Sequence, residues 1–137
     1  MIVTAVFKLI EASTTFTAKL AVYKTKPAMF TGGIPDDTKF PAVTINDVTG
    51  SGGGGCRSKR GGATVLDVQV FTDKGRSSKT LRGLALDLWK LLDRASLNSY
   101  LTGFTECGVQ ADPPANTNDG FGFPGRTIRV RVTWMEA

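Results

Sequence analysis

Histidine is absent from the 137-residue chain. With it go the commonest general base, the commonest metal ligand and the one side chain that ordinarily titrates near neutrality. Cysteine is scarce: Cys56 and Cys107 are the only two. They are too few for a four-ligand zinc site and too far apart for a Cys-x-x-Cys redox pair. One disulfide between them is arithmetically open, but two reduced thiols in a cytoplasmically made protein is the expected state. No run approaches the ~20 apolar residues that a bilayer crossing requires, so no membrane partner is expected. The opening residues, Met1-Ile2-Val3-Thr4-Ala5-Val6-Phe7-Lys8-Leu9-Ile10-Glu11, lack a basic start, and Lys8 and Glu11 interrupt the apolar run, so no secretion signal is expected. These absences argue against most enzymes. The chain reads as non-enzymatic, with no cofactor and no metal.

What is present suits one soluble domain spanning residues 1–137, with 41% apolar residues. Glycine and proline (16 and 6) exceed the usual share of ~12%. They cluster, so they mark long loops, not a low-complexity chain. Seventeen bases against twelve acids give a net charge of +5, which suits a partner carrying negative charge but identifies none.

Ile2, Val3, Val6, Phe7, Leu9 and Ile10 recur at three- and four-residue spacing, the apolar stripe of an amphipathic helix. That helix should lapse at Ser13-Thr14-Thr15, where hydroxyls compete with the helical backbone. A short extended piece, Leu20-Ala21-Val22-Tyr23, and a turn-rich stretch over 31–37 follow. Residues 41–48 predict a strand with Val43 and Ile45 on one face. Leu66, Val68 and Val70, alternating with Asp67 and Gln69, predict a second. The glycine-rich, basic connector 50–62 makes the pair a hairpin with an overlong tip. A serine at 77 or 78 should cap the strongest helix, with Leu81, Leu84, Ala85, Leu88, Leu91, Leu92 and Ala95 on one stripe. At ~100° per residue, Trp89 falls on the flank of that stripe and Leu86 well outside it. Residues 103–110 predict a third strand, with Cys107 and Val109 facing the same side. The fourth is the clearest, Ile128, Val130, Val132 and Trp134 alternating with Thr127, Arg129, Arg131 and Thr133. Residues 111–125, with Pro113-Pro114, Phe121 and Phe123, predict a long loop. The expected fold class is α+β: a mainly antiparallel sheet of about four strands, two helices on one face, and a long glycine-rich hairpin loop.

Motifs for chemistry fall short. Strand, loop, Lys79-Thr80 and helix give the context of a phosphate-binding P-loop, but Asp73 and Ser78 stand where glycines are required. Arg57, Lys59 and Arg60 could neutralise phosphates, yet no aromatics lie among them to stack bases. Arg129 and Arg131 on an open face equally serve to prevent strand-to-strand aggregation. Asp36-Asp37 sits in a turn, where adjacent acids bond local backbone. Cys56, in its basic setting, is the one thiol whose pKa could be lowered for catalysis.

The order of features nevertheless has a likeness. It comprises an N-terminal helix, a Val22-Tyr23 strand, Phe40-Pro41-Ala42-Val43-Thr44-Ile45 and Val65-Leu66-Asp67-Val68-Gln69-Val70-Phe71. Gly75, a leucine-rich helix, Gly103-Phe104 and a closing Arg129-Val130-Arg131-Val132-Thr133-Trp134 complete it. Over nearly the whole chain this resembles the tail terminator (tail completion, or tail-to-head joining) proteins of long-tailed bacteriophages. The resemblance implies a structural virion protein of the tail or neck, made in the bacterial host cytoplasm. Such proteins form a ring, usually of six copies, on the head-proximal end of the tail tube, ending tube polymerisation and meeting the head connector. The implied partners are other copies of the chain, the tail tube protein, and the head–tail connector or a head completion protein. Double-stranded DNA would meet the ring only in passage through its lumen. A ring needs two different sticky patches per subunit. The candidates are Leu86 with Trp89, the loop bearing Phe121 and Phe123, and the glycine-rich hairpin with Gly53, Gly54, Arg57, Lys59 and Arg60. The alternatives are another phage neck or tail component (a head completion protein or tube subunit) and a small basic nucleic-acid-binding module.

Overall fold

The computed structural model describes residues 2–31, 34–35, 38–52, 61–72, 78–101, 104–118 and 124–136. Helix α1 (Ile2–Ala12) buries Ile2, Ala5, Val6 and Ile10, with Val3, Phe7 and Leu9 half-buried on its flanks. It lapses at Ser13, whose backbone is extended, and resumes as one short turn, α2 (Thr14–Thr17). Strands β1 (Val22–Tyr23) and β2 (Lys26–Pro27) form a separate small hairpin. Its two-residue turn puts Lys24 and Thr25 at φ 47° and 70°, the left-handed geometry that matches strand twist in tight hairpins. Tyr23 packs edge-on against Phe30, ring centroids 5.2 Å apart, which ties the hairpin to the main sheet.

That sheet is built from β3 (Met29–Thr31), β4 (Ala42–Gly52), β5 (Gly61–Phe71), β6 (Phe104–Ala111), β7 (Ala115–Asn118) and β8 (Pro124–Glu136), in the order β3-β4-β5-β8-β6. The four foreseen strands, β4, β5, β8 and β6, pair consecutively in that order, antiparallel throughout. β3 joins the edge in parallel with β4. Three residues are too few to carry a period, so β3 leaves no sequence signal. The β4–β5 ladder runs from Ala42↔Phe71 to Gly52↔Gly62, so the paired strands extend into both ends of the supposed connector 50–62. Alternation fixes the faces. Val43, Ile45, Leu66, Val68, Val70, Ile128, Val130 and Val132 are buried beneath α1 and α3 (Ser78–Leu92), which contributes Leu81, Leu84, Ala85, Leu88 and Leu92.

One expectation needs correction. The stretch 111–125 is not one long loop, because β7 pairs with the start of β8 from Ala115↔Thr127 to Asn118↔Pro124. Its Ala-Asn-Thr-Asn sequence has no apolar alternation; β8 recruits it by being longer than β6 can cover. β6 shifts register between Glu106 and Gly108, a bulge that interrupts strict alternation; the expected facing of Cys107 concerns a side chain outside those described.

Candidate interaction surfaces

The face of the sheet turned away from α1 and α3 carries the odd residues of β5 and β8. Register pairs there are polar. Thr44 donates its hydroxyl to Gln69 Oε1 at 3.3 Å, and Gln69 Nε2 donates to Thr127 at 3.2 Å. Arg129 grips its register partner Asp67 with two bonds, Nε to Oδ1 at 3.0 Å and a terminal nitrogen to Oδ2 at 3.3 Å. The bond and charge of Asp67, helped by Asp112, raise the pKa of the Arg129 guanidinium above its ordinary value. Beside this pair, Val65, Gln110, Asp112, Arg129 and Arg131 line a depression of about 250 Å³. The hollow is therefore lined by two arginines and one acid, with Arg129 already paired to Asp67 outside the lining, so it holds little unpaired charge of either sign.

The second surface is the outer side of α3. Leu86 is 39% exposed, as the helical spacing predicts. Around it on the exposed side stand Lys79, Arg82, Gly83 and Lys90. Residues three and four apart are surface neighbours on a helix, so Arg82, Gly83 and Lys90 border Leu86 directly. A Cβ added at Gly83 would meet nothing within 4 Å. Nothing in the fold requires glycine at that position.

Trp89, coupled with Leu86 in the sequence analysis, also reaches inward. Its ring is half-buried against the core, and its indole N–H donates to the Ala111 carbonyl at 2.8 Å. Just beyond, Asp93 Oδ1 accepts the Ala111 amide at 3.2 Å, and the Arg94 amide donates to the Val109 carbonyl at 3.0 Å. Arg94 takes a left-handed φ of 58° to do so, ending the helix. Together these groups cover the outer edge of β6 at 109–111, a stretch that would otherwise offer unpaired backbone to another strand. This function escapes sequence reading, since Trp89 and Ala111 are neighbours only through packing. The α3 flank is pinned at its other side by Lys19 Nζ to Asp87 at 2.7 Å.

The remaining sequence candidates, Gly53, Gly54, Cys56, Arg57, Lys59, Arg60, Phe121 and Phe123, lie outside the described residues, as do residues 73–77 of the P-loop-like stretch. Among the described residues no group of three or more Cys, Asp or Glu side chains could hold a metal ion, and no described helix is long and apolar enough to cross a membrane.

Comparison with known proteins gives a fold. No protein-family model matches the chain, and no curated protein matches its sequence. One chain in the solved structure of the virion of a native gene transfer agent (GTA) particle is similar to it, with a TM-score of 0.75. The superposition covers 98% of this chain and 94% of that one at 16% sequence identity. The two chains share one fold from end to end.

Proposed function

We propose that this protein is a structural subunit of a phage-like virion, forming a closed homo-oligomeric ring of about six copies at the head-proximal end of a tail tube. There it ends tube polymerisation and joins the tail to the head connector. The observation that carries the reading is the near-complete overlap with a virion chain, 98% of this protein and 94% of its neighbour. The likeness runs through the whole fold and is not confined to one segment of it. The sequence pattern that resembles tail terminators supports the finer position in the tail. Covering of the β6 edge by Trp89, Asp93 and Arg94 suits a subunit that must not recruit strands without limit.

The purified protein tests this directly through its mass by light scattering and its shape in negative-stain images. A closed ring of fixed copy number is the expected result. Filaments that lengthen with concentration would make it a tube subunit instead. A monomer retained on DNA, with retention falling steeply as salt rises, would make it a nucleic-acid-binding module.

A further inference from the structure

Within the ring reading just given, on which this step rests, we infer that neighbouring subunits meet through two complementary patches. One is Leu86 and Gly83 between the bases Arg82 and Lys90 on α3; the other is Val48 beside Asp47 on β4. Three large apolar side chains are exposed among the described residues, and Val48 (45%) and Leu86 (39%) are two of them. The free charges beside them differ in sign, Asp87 next to Leu86 being already paired with Lys19. Leu86 has Arg82 four residues before it and Lys90 four after, both exposed, and neither has an ion-pair partner among the described residues. Val48 follows exposed Asp47.

Local geometry shapes both patches for contact. The register of β4 against β5 shifts between Asp47 and Thr49, so Val48 is the extra residue of a bulge, a device that re-aims a side chain away from the ladder. Gly83 leaves open space on the helix surface, at a cost in helix stability that its own fold does not recover. A notch next to a projecting leucine accepts a small branched side chain from outside. Valine is of that size.

The placement also meets the ring's requirement. α3 packs chiefly over β8, with β5 and β6 on either side; β8 is second from one end of the strand order, whereas β4 is second from the other. Two unlike patches at opposite ends of one subunit form a heterologous contact, the kind that closes a ring. The opposed charges fix which patch meets which and disfavour like-to-like pairing.

Charge exchange on the full-length protein provides the test, with assembly followed by light scattering against concentration. Arg82→Glu alone and Asp47→Arg alone are each expected to raise the concentration for half-assembly by about tenfold or more. Both reversals in one chain should return it toward the wild-type value, because every contact then pairs the exchanged charges. Gly83→Leu should fill the notch and reduce assembly while leaving the melting temperature equal or higher. A wild-type ring unmoved by these substitutions, or single losses that the combined variant fails to repair, overturns the contact and leaves the ring reading standing. A wild-type protein that stays monomeric at every concentration overturns the ring reading and this contact with it.

Discussion

Along β8 the two faces of the sheet lie one residue apart and are held by different physics. Ile128, Val130 and Val132 have no exposed surface, while Arg129 and Arg131 between them are exposed. The helix-covered face gains from removing apolar area from water, about 1.5–3 kcal/mol for each fully buried aliphatic side chain. The bare face is organised by cross-strand polar pairs such as Thr44–Gln69–Thr127 and Asp67–Arg129, which water and salt weaken. The difference teaches where to look for each property. Stability resides beneath the helices; what is left outside is the surface open to contact.

Substitutions can break or sharpen that contrast. Leu88 is wholly buried on α3, so Leu88→Ala should cost about 3 kcal/mol through lost transfer energy and an unfilled cavity. Denaturant unfolding would measure it, and a negligible loss would mean that the helix is not the keystone of the core. Trp89→Phe keeps most of the ring but strands the Ala111 carbonyl, for an expected cost of about 2 kcal/mol. If the β6 edge is what Trp89 protects, the variant should also aggregate more readily near its melting temperature. On the bare face, Asp67→Asn should leave the melting temperature almost unmoved in physiological salt. pH sharpens the same point. Arg129 has a raised pKa, so its contribution is fully present below the unfolded value and is lost only as pH climbs through the still higher folded one. That window lies far into alkali, and with no histidine in the chain thermal stability should be flat between about pH 6 and 8.

Much of the fold was legible because burial imposes a period. The stripe from Leu81 to Leu92 and the alternation from Leu66 to Val70 and Ile128 to Val132 each announce an element and its inner face. Leu86 was equally plain, being apolar where the helical wheel leaves it in water. β3 and β7 were not legible, since Met29-Phe30-Thr31 is too short for a period and Ala115-Asn116-Thr117-Asn118 has no apolar alternation. The bulges in β4 and β6 hid for a related reason. A single extra residue is a choice between two ladders, invisible until both are paired. Trp89 lies half-buried on the flank of the stripe, as its spacing predicts, but its bond to the Ala111 carbonyl had no signal, since the two meet only through packing.

By itself the amino-acid order determined the inventory of helices and central strands, their buried faces and the want of histidine chemistry, all of them local or compositional properties. Only the tertiary structure decided that Trp89 seals a sheet edge, that Asp67 and Arg129 face each other across β5 and β8, and that Leu86 and Val48 stand toward opposite ends of the strand order. Those facts depend on which distant segments the ladders bring side by side, and pairing of that kind has no period in one dimension.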